Sequence, residues 1–82
     1  MLTDYINAAM HHAHYEFLKN DKVFYAEIKA TRGVWATGET LEACRDELKS
    51  VLEDWIILSL KKNHPMPDID GISFEPVQME NA

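Results

Sequence analysis

The stretch GVWATGETLEACRDELKSVLEDW, Gly33 to Trp55, decides the fold of this chain. Val34, Trp35, Ala36 and Thr37 mix β-branched and aromatic residues and read as a strand. Gly38 then allows the chain a positive φ, and Thr40 can cap a helix by accepting a backbone N–H on its hydroxyl oxygen. Glu42 favours the positive end of that helix. On a wheel at roughly 100° per residue, Leu41, Cys44, Leu48, Val51, Leu52, Trp55 and Ile56 form one broad apolar stripe, opposite Asp46, Ser50 and Glu53. A strand therefore feeds directly into a long amphipathic helix whose stripe needs a surface to cover.

The residues before this stretch supply that surface. From His12 the period is two: Ala13, Tyr15 and Phe17 share one face, and His12, His14, Glu16 and Leu18 share the other. Lys19 to Lys22 turns the chain, Asn20 and Asp21 being suited to turn geometry. Val23 to Lys29 returns with Phe24, Ala26 and Ile28 on one face and Tyr25 and Glu27 on the other. Short connections make three consecutive strands pair as an antiparallel meander. The expected fold class is α+β, a three-stranded antiparallel β-meander packed under one long α-helix.

The two ends of the chain are simpler. Leu2, Tyr5, Ile6, Ala9 and Met10 recur at helical spacing, so Asp4 to His11 reads as a short helix capped by Thr3, which must dock to persist. The run Trp55 to Leu60 is apolar nearly all round, so Ile57 and Leu60 are expected either under the N-terminal helix or the tail, or in a contact between subunits. Asn63 to Pro67 is expected to stop the long helix, since Pro65 and Pro67 cannot continue it. Ile72 to Val77 is a candidate fourth strand, its Pro76 fitting only a sheet edge. A single domain spanning 1–82 accounts for the whole chain.

An 82-residue domain builds a thin core, and oligomerisation is the natural supplement, as a homodimer or higher homo-oligomer. With 8 basic against 14 acidic residues the net charge is −6, which opposes direct binding to nucleic acid or anionic membrane and suits a basic partner. The single cysteine, Cys44, falls on the inward stripe and cannot close an intrachain disulfide, so a reducing compartment is implied. No apolar run reaches the ~20 residues of a membrane span, and the start MLTDYINAAM lacks the pattern of a signal peptide. The expected location is cytoplasmic.

Catalytic chemistry finds little support in the residues. His12 and His14 with Glu16 would suit a divalent cation, but only His64 stands elsewhere to complete a shell, so no metal and no cofactor are expected. Asp46 with Glu47 and Glu53 with Asp54 are helix neighbours pointing in different directions. Cys44 is inward, and Ser50, Ser59 and Ser73 stand in no nucleophile motif. The protein is expected not to be an enzyme. What remains is a face: if the helix covers the Phe24, Ala26 and Ile28 side, then Tyr25, Glu27 and Trp35 project from the uncovered side as aromatic and acidic anchors for a protein partner.

Gly38, Thr40, Glu42 and Ala43, with the hairpin from Tyr15 to Ile28 before them and Trp55 after, resemble the G-x-T-x-E-A helix start of HicB-type antitoxins and the small uncharacterised domains grouped with them. The likeness runs roughly from His12 to Asp70. The loop Lys29 to Gly33 keeps only the glycine of the Pro-Asp-Leu-Pro-Gly type turn common there. The resemblance implies a fold like part of ribonuclease H. It also implies an antitoxin that neutralises a small basic HicA-type toxin, an mRNA-cleaving protein, by direct binding. The C-terminal DNA-binding module of many such antitoxins is not expected here, since three prolines and a glycine interrupt the last twenty or so residues. The alternative is an orphan oligomeric domain with a regulatory or scaffolding role and no toxin. An enzymatic reading from the ribonuclease H likeness is weakest, because no acidic cluster stands at strand positions to hold magnesium.

Overall fold

The structure is a computed structural model and describes residues 2–73. Its elements run α1 (Leu2–His11), β1 (His14–Leu18), β2 (Val23–Glu27), β3 (Trp35–Gly38) and α2 (Leu41–Lys61). The sheet has the order β1-β2-β3, antiparallel throughout. The meander under one long helix is thus the architecture that the hydrophobic pattern predicts. α2 lies over β3 and β2, and α1 flanks α2.

The core is the α2 stripe pressed on one sheet face. Cys44, Leu48, Leu52 and Ile56 from α2 meet Ala26 and Ala36 from the sheet and Ile28 and Val34 just beyond the strand ends, and Tyr5 and Ala9 close one side from α1. Each of the larger aliphatic side chains, Leu48, Leu52, Ile56, Ile28 and Val34, contributes about 1.5–3 kcal/mol. Because α2 rides over β2 and β3 and not β1, Phe17 stays half exposed against Phe24, at 5.1 Å between ring centroids, although both lie on the core side. Leu41, placed in the stripe by the wheel, is exposed at the first turn, while Ser59 is buried in the last turn.

Thr40 caps α2 as its sequence position requires. Its backbone is extended, and its Oγ1 accepts from Ala43 N at 3.0 Å. Gly38 serves a different purpose from a positive φ, which it does not adopt. A Cβ there would overlap Cys44 N and sit 2.7 Å from Cys44 Cα and 2.9 Å from Ala43 C. The missing side chain lets the first turn of α2 rest directly on the end of β3. The C-terminal stop also differs in cause. Asn63 adopts φ 58°, its N–H donates to Leu60 O at 3.2 Å, and His64 N–H donates to Ser59 O at 2.8 Å. That is a Schellman ending made by Asn63, ahead of Pro65.

Other local readings are adjusted in the same way. Thr3 lies inside α1 rather than capping it. In the β1–β2 turn, Lys22 and not Asn20 or Asp21 takes the positive φ, at 56°. His12 lies outside β1 and bonds the tail, with His12 Nε2 2.7 Å from Asp70 Oδ1. Tyr5 donates to Pro67 O at 2.7 Å, and Ile69 is buried in the core. These contacts strap residues 67–70 against α1. Ile72 bridges Ile69 in a tight turn about Gly71, Ser73 is in no strand, and residues 74–77 of the candidate strand Ile72 to Val77 lie outside the described residues.

Candidate functional site

The uncovered face of the sheet is built by strand alternation and pairing register. β1 and β2 pair with His14 opposite Glu27, Glu16 opposite Tyr25 and Leu18 opposite Val23. β2 and β3 pair with Glu27 opposite Trp35 and Tyr25 opposite Thr37. Side chains directly opposite share a face. The uncovered side therefore carries two cross-strand rows, His14–Glu27–Trp35 and Glu16–Tyr25–Thr37.

Within these rows the side chains are organised. The Tyr25 and Trp35 rings stack with centroids 6.1 Å apart and 26° between planes. The Tyr25 hydroxyl donates to Glu27 Oε1 at 3.0 Å. That hydrogen bond, then burial and the charges of Glu27 and Glu16, push the Tyr25 phenol above its ordinary range. Trp35 is 54 % exposed, a large apolar surface stacked on Tyr25. The arrangement offers a rigid aromatic pair beside two carboxylates, a surface suited to a cationic and partly apolar partner. Sequence reading names Tyr25, Glu27 and Trp35, and the fold brings all three together. It does not name His14, Glu16 and Thr37 as members, because joining them requires the register; the four-residue turn Lys19 to Lys22 is the signal that could set it.

Ile57 and Leu60 lie elsewhere, at the α1–α2 junction. Leu2, Ile6, Glu53, Ile56, Ile57 and Leu60 line an apolar cleft of about 240 Å³ there. α1 half buries Leu60 against the core, while Ile57 and its neighbour Leu58 remain about half exposed. The N-terminal helix thus covers part of this apolar end and leaves part open.

Among the described residues no group of three or more His, Cys, Asp or Glu side chains could hold a metal ion. Burial raises the Cys44 thiol above its ordinary range, and its Sγ points at Ala36 O at 3.7 Å inside the core. Among the described residues no helix is long and apolar enough to cross a membrane.

Comparison with known proteins identifies relatives of the whole architecture. No curated protein matches the chain. The crystal structure of TTHA0281 from Thermus thermophilus is similar with a TM-score of 0.86 at 36% sequence identity, covering 93% of this chain and 94% of that one. The UPF0150-like family profile matches residues 4–67, from the first turns of α1 to the tail strap at Pro67. With that match spanning most of its length, the chain belongs to the UPF0150-like family.

Proposed function

We infer that the protein is a HicB-like antitoxin that neutralises a small basic HicA-type toxin by direct binding. The observation that carries this reading is the uncovered sheet face, where a stacked Tyr25–Trp35 pair stands beside Glu27 and Glu16. Membership of the UPF0150-like family is consistent with it. Neutralisation requires occlusion of the toxin and complementary charge, with no catalytic group or cofactor on the inhibitor. A chain of net charge −6 attracts a basic partner at long range, and rigid aromatics beside carboxylates can anchor it at contact. The toxin's target is mRNA, so the complex would form in the cytoplasm.

The test is co-expression with the product of an adjacent short basic reading frame, scoring growth and then co-purification. Rescue of arrested growth with a stable complex is the expected result. An adjacent product that is not toxic and forms no complex would replace this reading with an orphan oligomeric module.

A further inference from the structure

We propose that β3 is a self-association edge, adding antiparallel to β3 of a second copy of this chain about a two-fold axis through Ala36. The backbone defines what that edge offers. Just beyond the ends of β2 and β3, Ile28 N–H donates to Val34 O at 3.1 Å, which sets the phase of the ladder between the two strands. Hydrogen-bonded pairs alternate along an antiparallel ladder, so Ala26–Ala36 and Phe24–Gly38 bond likewise, and the N–H and C=O groups of Trp35 and Thr37 point outward. Among the described residues no strand pairs with that side of β3.

A two-fold axis through Ala36 sets Trp35 opposite the second copy's Thr37, and Thr37 opposite the second copy's Trp35. Every outward group of both residues then finds a partner, giving four hydrogen bonds. It keeps both α2 helices on one side of a continuous six-stranded sheet. The register is self-complementary, as an isologous contact requires.

Charge decides the orientation and the choice of edge. Lys29 and Arg32 precede β3, and Glu39 and Glu42 follow it. Antiparallel addition sets the cationic end of each copy against the anionic end of the other, with Arg32 beside the second copy's Glu39; parallel addition would set like against like. β3 itself, Trp-Ala-Thr-Gly, carries no charge, no proline and no bulge to refuse a strand. β1 differs: its outward groups belong to Tyr15 and Phe17, so a two-fold pairing there would set Glu16 directly against the second copy's Glu16.

A four-residue ladder alone is small against the ~800 Å² per partner of a stable interface. The cleft beside β3 supplies further surface. It has a volume of about 610 Å³ and is lined by Gly33, Trp35, Ala36, Thr37, Ala43, Glu47 and Val51. Ala43, Glu47 and Val51 stand one turn apart on α2, so a two-fold approach sets the small Ala43 toward the second copy's half-buried Val51 and the exposed Glu47 toward its own counterpart. The two Glu47 side chains face each other across the wider gap between helices rather than at the strand spacing that opposes Glu16 in a β1 pairing. The joined sheet also makes the two uncovered faces contiguous.

The test is sedimentation equilibrium of the full chain, with no toxin involved, so its failure is distinct from failure of the antitoxin reading. The wild type is expected as a dimer or a multiple of dimers. Thr37→Pro removes an outward donor without touching the β2 ladder, and is expected to halve the mass while circular dichroism stays native. Arg32→Glu and Glu39→Arg are each expected to weaken association roughly tenfold, and the double variant to restore it. A wild-type monomer, a folded Thr37→Pro protein of unchanged mass, or dissociation by Ile57→Glu alone would overturn the proposal. If Thr37→Pro fails to fold, absence of restoration in the charge-swapped double variant overturns it.

Discussion

Gly38 and Cys44 are in backbone contact: the α-carbon of the glycine lies so close under the first turn of α2 that a single added methyl would overlap Cys44 N. This contact holds the helix against the sheet at the point where the chain passes from β3 to α2. Beside it, Thr40 caps α2 and Cys44 enters the core, with its Sγ toward Ala36 O. Gly38→Ala is therefore expected to destabilise the protein by about 1–3 kcal/mol, since the obstructing atoms are backbone and cannot swing aside. A lowered urea midpoint with an unchanged slope would show it; an unchanged midpoint would mean that the helix start shifts freely.

Tyr5 ties α1 to the tail through its bond to Pro67 O across 62 residues. Burial, then the charge of Asp68, raise its phenol above the ordinary 10.0. A group raised on folding stabilises the protein fully below its unfolded value and loses that contribution as pH rises through the folded value. Stability should therefore fall above pH ~10 as the phenol ionises and can no longer donate. Tyr5→Phe should cost about 1 kcal/mol at neutral pH and flatten the alkaline fall. Denaturation midpoints of both proteins from neutral to alkaline pH check this, and parallel curves would refute it.

Tyr25 should titrate late for a different reason, its hydrogen bond to Glu27. Glu27→Ala removes that acceptor and its charge together. The Tyr25 ring signals followed by NMR through alkaline pH should then move to a lower midpoint. An unmoved midpoint would separate Tyr25 from Glu27 in solution. Stacking on Trp35 should survive the change, since it rests on neighbouring strands and not on the carboxylate.

Periodic features are legible in the sequence alone. The α2 stripe repeats every three or four residues, and the alternation in β1 and β2 assigns Tyr25 and Glu27 to the face opposite Ala26. Thr40 is readable as a cap because capping needs only a local oxygen. Gly38 is readable as necessary but not for its reason, since a glycine serves a positive φ or a close approach equally well in sequence. Exposure of Leu41 and Phe17 depends on where α2 crosses the sheet, which no local pattern encodes. The straps Tyr5–Pro67 and His12–Asp70 join residues about sixty positions apart, beyond the reach of any local signal. The site is legible as three residues and becomes two rows only through register.

The binding reading is sharpest at Glu27, which lies in the middle of a cross-strand row on the uncovered face, half-buried and bonded to Tyr25. Lys61 lies at the end of α2, exposed and away from the sheet. Reversing either charge changes the net charge by two, so long-range attraction to a basic toxin changes in opposite directions by similar amounts. Only Glu27→Lys also sets a cation against the contact surface and releases the Tyr25 hydroxyl. It should weaken toxin binding at least tenfold, mainly through faster dissociation, whereas Lys61→Glu should leave the dissociation rate unchanged. Binding kinetics of both variants against the co-purified toxin decide it. Equal dissociation rates would move the contact off the sheet face.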